Sequence, residues 1–329
     1  MDNIKNTNEV FEFLLKIPRL NYNCFQMALA YILQFYHREY QAVSLGNWGF
    51  KYNQRIEYTD CIGNAIDEVF RYKIKDILMR YYGSELIGYD PSDETAVIYM
   101  LKEAGLILVR SDLYWCPWSL AYLKHHFSHY YLLVGYDKKS EDFYCYDPYL
   151  NNGKINQVPF EKIKPGIISY EMLCSTKGKT KNENIKENIK KDIYSDITSI
   201  LDKQDLNSLY NIYQLVDSIN YRFELEKENA GFQKDFLAIP ILSKMKFIYI
   251  SRYGYSDLLE YYGNSFNNKK IIEAANNLTE CGRQWRVCQS LLMKVFIHSH
   301  DKGKVKVVSN SIAKIADNEI SIAEDLFNL

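Results

Sequence analysis

The chain has 329 residues, of which 47% are apolar, enough for two domains with packed cores. Forty basic against forty-one acidic residues leave a formal net charge of −1, so no overall field favours nucleic acid or an anionic membrane as a partner. Seven cysteines without a Cys-x-x-Cys pair speak against a disulfide framework or a zinc knuckle. Met1-Asp2-Asn3-Ile4-Lys5-Asn6 lacks the apolar core of a signal peptide, so reduced thiols in a cytoplasmic protein are expected.

In chain order, apolar residues recur from Phe25 at Ala28, Leu29, Ile32 and Phe35, the stripe of a helix packed on one face, and Cys24 opens it. Ile62, Ile66, Val69, Phe70, Ile74, Ile77 and Leu78 predict a second helical region near 60–82. A third, near 93–104, starts at the capping residues Ser92 and Asp93 and stops at Gly105. Residues 106–110 read as a buried strand. Tyr130–Tyr136 and Phe143–Tyr146 flank the polar turn 137–142 and predict an antiparallel hairpin, and 166–174 a further strand. Helices before a run of strands make this part α+β, placed at 1–178. Residues 179–192 belong to a Lys- and Asn-rich segment read as a surface connector rather than a nucleic-acid tail. From 193 to 329 the 3.6-residue period of Ile197, Leu201, Leu209, Ile212, Val216 and Ile219 predicts a helical domain.

Three residues suggest chemistry. A thiol attacks as thiolate, which the positive end of a helix and a neighbouring imidazolium both favour, and Cys24 stands at a helix start. His129 precedes the first hairpin strand, where a sheet would hold it. Asp147 ends the second, where its carboxylate can orient the imidazole. Taken singly, each has a plainer reading: a small buried residue for Cys24, a surface or metal-binding cluster for His125-His126-Phe127-Ser128-His129, and a turn for Asp147-Pro148. Their combination and order carry the triad. Asn21 or Asn23 is the candidate oxyanion donor beside the Cys24 N–H, although an Asn before a helix also serves as its N-cap. Tyr114, Trp115 and Tyr130 belong to an aromatic surplus that lines an acyl pocket or packs a core. No metal site is expected, because His298 and His300, near Asp301, stand two apart and do not share a helical face. No phosphate-cradling or dinucleotide loop occurs.

The segments His129-Tyr-Tyr-Leu-Leu-Val-Gly-Tyr136 and Phe143-Tyr-Cys-Tyr-Asp147, with the order Cys, His, Asp, resemble papain-like cysteine peptidases and bacteriocin-processing peptidases. With Asp112-Leu113-Tyr114-Trp115-Cys116-Pro117, His126 and Gly135-Tyr136-Asp137, the chain is also similar to the N-terminal domain of the butirosin biosynthesis protein H family. Trp285-Arg286-Val287 with Leu291-Leu292 extends that likeness into the helical half. The resemblance implies a papain-like fold, with the Cys-bearing helix on an antiparallel sheet, and Cys24 as nucleophile, His129 as base and Asp147 as orienter. It also implies an amide-forming acyltransferase of antibiotic assembly that takes its acyl group from a phosphopantetheine thioester on an acyl or peptidyl carrier protein and passes it to a small-molecule amine. No bound cofactor is implied. Papain-like peptidases carry a Gln several residues before the Cys, where this chain has Lys16, Ile17, Pro18 and Arg19. A peptidase or thioesterase with water as acceptor, and a non-catalytic binding module, remain as alternatives. A homodimer is one option for assembly.

Overall fold

The computed structural model describes residues 7–57, 60–69, 71–90, 94–150, 153–176, 185–230, 238–298 and 302–329. Its principal helices are α1 (Thr7–Lys16), α2 (Cys24–Phe35), α3 (Glu94–Ala104), α4 (Ile185–Leu201), α5 (Asn211–Arg222), α6 (Pro240–Ser265), α7 (Lys269–His298) and α8 (Lys302–Phe327). The longer strands are β1 (Ser84–Tyr89), β2 (Ile107–Asp112), β3 (Ser128–Asp137), β4 (Asp142–Tyr146), β5 (Ile155–Pro159) and β6 (Ile167–Ser175). Two compact units result: 1–43 with 74–183, and 44–73 with 184–329.

In the first unit β1 to β6 form one antiparallel sheet, in the spatial order β1-β6-β2-β3-β4-β5. Side chains alternate across a strand. Leu132 and Val134 of β3, with Leu108 and Tyr146, therefore meet α1 and α2 through Val10, Leu14, Met27 and Leu29. Tyr131 and Leu133, with Val109, Phe143 and Cys145, meet Val97, Met100 and Leu101 of α3. The unit is a papain-like α+β domain, with a Cys-bearing helix lying on an antiparallel sheet. α2 is apolar nearly all round because it is enclosed, whereas α3 keeps an exposed side.

The predicted hairpin is β3 and β4, the strand at 106–110 is β2, and that at 166–174 is β6. Gly105 stops α3 as expected, with φ +75° and its N–H on the Leu101 carbonyl at 2.8 Å. Ser92 and Asp93 lie outside the described residues. α1, β1 and β5 lie outside the predicted elements; the edge strands β1 and β5 are only partly buried and show no clean alternation.

The second unit is helical, and it corrects two expectations. The region near 60–82 is not one helix. It comprises a turn of helix at Ile62–Ala65 and the short strand Ile66–Asp67 paired with Lys51–Tyr52, while the separate helical stretch from Ile74 through Tyr82 belongs to the first unit. Gly63 lies against the backbone of Pro240 and Ile241, where an added Cβ would fall 2.1 Å from the Ile241 nitrogen, so the segment follows α6 rather than its own period. The second correction concerns boundaries. Residues 44–73, assigned by sequence to the first domain, pack with the helices, because Asp196 of α4 accepts the Gly46 N–H at 2.8 Å and Arg252 of α6 donates to the Gly49 carbonyl at 2.9 Å. Of the expected connector 179–192, residues 185–192 already belong to α4, and 179–184 lie outside the described residues.

The centre of this unit is polar. Glu319 accepts from Arg252 through Nε and Nη2 and from the indoles of Trp48 and Trp285, at 2.8 to 3.1 Å. All four residues are buried. No helix among the described residues is long and apolar enough to cross a membrane.

Candidate active site

Cys24 is the first residue of α2. Asn23 before it is extended (φ −69°, ψ 168°), and its Oδ1 accepts the Gln26 N–H at 2.8 Å, the ordinary N-cap arrangement. The cap is doubled, because Asn23 Nδ2 donates to Gln26 Oε1 at 2.9 Å while Gln26 Nε2 reaches the Val43 carbonyl at 3.1 Å. A fixed helix start points its N–H groups, and the positive end of its dipole, toward the thiol.

His129 lies opposite Ser111 in the β2–β3 register, and Tyr146, the last residue of β4, pairs with Leu132. Asp147 follows at once and reaches back diagonally: its Oδ2 lies 2.7 Å from His129 Nε2. The hairpin register thus brings the two residues within reach of each other. With Nε2 taken by Asp147, Nδ1 is the nitrogen left to serve Cys24, whose side chain lies near enough to help raise the imidazole pKa. Both members are enclosed, His129 2% and Asp147 0% exposed.

Burial alone disfavours an imidazolium here. The hydrogen bond to Asp147, that to Cys24 and the charges of both outweigh it, and push the His129 pKa from 6.5 up to about 9. Asp147 itself is saturated. Its Oδ1 accepts the N–H groups of Tyr149 at 3.0 Å and Leu150 at 2.9 Å, and its Oδ2 also accepts the Trp118 indole N–H at 2.8 Å. Burial raises the thiol pKa of Cys61, Cys116, Cys145, Cys174, Cys281 and Cys288, which keeps them as thiols.

The three predicted triad residues are therefore brought together. Asn23 is placed as the N-cap, with its amide engaged to Gln26 at both ends, and Asn21 is exposed. Tyr130 stands beside α2, its ring edge-on to Phe25 at 4.9 Å. Tyr114 and Trp115 have other neighbours: Tyr114 stacks on His126 at 4.3 Å, and Trp115 packs on Gly166 where a side chain would collide. His126 is paired through Nδ1 with Asp112 at 2.6 Å, so that His–Asp pair is separate from the triad. Among the described residues no three His, Cys, Asp or Glu side chains are arranged to hold a metal. His298 is exposed at the end of α7, and His300 and Asp301 lie outside the described residues.

Three residues escaped the sequence reading. Nothing in the sequence marks Trp118, whose indole N–H points at Asp147. Tyr149 lies 6.0 Å, ring to ring, from His129, and its phenol is kept protonated by burial and then by the charge at Cys24. Its nearness to Asp147 in sequence was the available hint. Arg19 donates to the Tyr149 carbonyl at 3.0 Å, which brings the segment before α2 to the triad.

A thiol at a helix start, an imidazole able to take its proton and a buried carboxylate that fixes the imidazole can carry out nucleophilic attack on an acyl carbon. No curated protein matches the chain. The family model described as the Peptidase_C39-like family matches residues 8–177, more than half of the chain and the whole span of the triad, and the chain belongs to that family of cysteine-peptidase-fold enzymes.

Proposed function

We propose that the protein is an amide-forming acyltransferase that takes an acyl group from a carrier-protein phosphopantetheine thioester and passes it to an amine in the assembly of a peptide-like natural product. Cys24 Sγ attacks the thioester carbonyl, the bond to the pantetheine sulfur breaks, and that thiol leaves with the proton from His129. The amine nitrogen then attacks the Cys24 acyl thioester, His129 accepts its proton, and the carbon–sulfur bond to Cys24 breaks. Asp147 holds the imidazole in place throughout. No ATP is required, because the thioester brings its own activation.

The observation that carries this reading is the composition of the oxyanion site. Lys16, Ile17, Pro18 and Arg19 stand where papain-like peptidases have a Gln, and the Asn23 amide is engaged as a doubled cap. That leaves the N–H groups at the start of α2 as the natural donors. A side-chain oxyanion donor is worth roughly 10²–10³ in turnover on an unactivated amide. An activated thioester demands less, and so suits this site better. The family's peptidase description favours the rival, hydrolysis of a peptide or thioester with water as acceptor.

The deciding experiment supplies acyl-pantetheine thioesters together with a panel of amines and quantifies amide against free acid. Amide in excess is the expected result. Rapid cleavage of unactivated peptides, with thioesters ignored when an amine is present, would overturn the acyltransferase reading and leave the peptidase.

A further inference from the structure

We propose that Trp118 is a positioning residue of the triad, its indole N–H fixing the Asp147 carboxylate in the orientation that holds His129. The proposal rests on the reading of Cys24, His129 and Asp147 as the reacting group.

Four donors reach Asp147, from two different sources. The Tyr149 and Leu150 N–H groups on Oδ1 belong to the turn that Asp147 itself begins, so they move with it. They define the turn but not its place relative to β3. Oδ2 carries the other two donors, His129 Nε2 at 2.7 Å and Trp118 Nε1 at 2.8 Å. Of these, only the indole is chemically inert during turnover. It is therefore the donor that can keep Oδ2 in place while the imidazole gains and loses a proton.

A positioning group must itself be held. The Trp118 ring stands edge-on to Tyr131 at 5.1 Å and 82°, and Tyr131 is two residues along β3 from His129 and fully buried. One strand thus supports both donors to Oδ2. The loop that carries Trp118 is closed at its neck, where the Leu113 N–H reaches the Phe127 carbonyl at 2.9 Å and Asp112 Oδ1 accepts the N–H groups of Tyr114 and Phe127 at 3.0 and 3.1 Å. Across the loop the Leu123 N–H reaches the Tyr114 carbonyl at 2.9 Å, with Leu123 held at φ +54°. The indole is presented from a braced loop.

The plainer role for a half-buried Trp is packing, with the N–H satisfied by the nearest acceptor. The two roles separate in Trp118→Phe, which keeps a ring against Tyr131 and removes the donor. The readout is the rate at which iodoacetamide alkylates Cys24 at pH 7, localised by peptide mapping and measured alongside the melting temperature. It needs no substrate. Loss of one hydrogen bond to a charged group predicts a rate about tenfold lower in Trp118→Phe. The same change in an Asp147→Ala background is expected to add nothing further, because the route through Asp147 is already gone. Trp118→Met is the second variant should the first not fold. An unchanged alkylation rate with a lowered melting temperature would reduce Trp118 to packing. An equal fall in both backgrounds would show that it acts independently of Asp147, and would overturn the proposal. His129→Ala is the control for the underlying reading: if it leaves the alkylation rate at the wild-type value, the triad itself fails and this inference with it.

Discussion

Two buried carboxylates, one in each unit, are solvated almost identically and do opposite things. Asp147 and Glu319 are both 0% exposed, and each is surrounded by four donor groups that include Trp indoles. At Glu319 the cationic partner is the Arg252 guanidinium, which does not give up its proton in proteins and whose remaining contacts run to the Gly49 carbonyl and Ser251. That charge is fixed, and it ties residues 46–50 to the helices. At Asp147 the partner is an imidazole whose second nitrogen serves a thiol. The same shell of donors makes a fastener in one unit and a base-orienting device in the other; the difference lies in whether the partner can exchange its proton.

The largest effect that this contrast predicts is at Cys24. Cys24→Ala should lower acyl transfer by more than about 10⁴-fold, the scale for removing a catalytic nucleophile, with circular dichroism unchanged. A variant with full turnover would break the contrast outright. Next is Glu319→Gln, which leaves Arg252 buried without its counter-charge and should cost about 3–5 kcal/mol in denaturant unfolding of the second unit. Asp147→Ala should act mainly on rate, lowering turnover roughly 10²–10⁴-fold, as expected when a base loses its orienting carboxylate. If the rate loss followed Glu319 and the stability loss Asp147, the assignment of roles would be reversed.

A smaller effect is set by pH. The His129 pKa is raised in the folded protein, so its favourable contribution is complete below the ordinary imidazole value of 6.5 and is lost as pH rises through about 9. The difference in unfolding midpoint between wild type and His129→Gln should shrink between pH 6 and pH 10; a constant difference would contradict the coupling. The smallest effect concerns Asn23. As a cap, Asn23→Ala should cost about 1 kcal/mol of stability. A turnover loss of roughly 10²–10³ in that variant would instead mark a side-chain oxyanion donor and weaken the case for an activated substrate.

Much of the first unit was legible because its elements obey local rules. The apolar stripe after Cys24, the polar turn between β3 and β4, and Gly105 at the end of α3 each follow from short-range chemistry. The pairing of His129 with Asp147 was legible for the same reason, since a hairpin fixes register. What escaped depended on distant partners. Residues 44–73 belong with the helices because of Asp196 and Arg252, some 150 and 200 positions away, and Gly63 is shaped by Pro240 and Ile241. Trp118 meets Asp147 only once its loop has folded back on itself. The sequence also left Asn23 open between cap and oxyanion donor, and the contacts to Gln26 favour the cap.

A covalent acyl-enzyme at Cys24 changes the mass of the chain, so intact-protein mass spectrometry reads it without a coupled assay. After incubation with an acyl-pantetheine thioester and no amine, the wild-type chain should gain the mass of one acyl group, mapped to the peptide that contains Cys24. Cys24→Ala should gain none, and an added amine should discharge the adduct as amide. A wild-type chain that gains no mass while substrate turns over, or an adduct that persists in Cys24→Ala, would contradict the account.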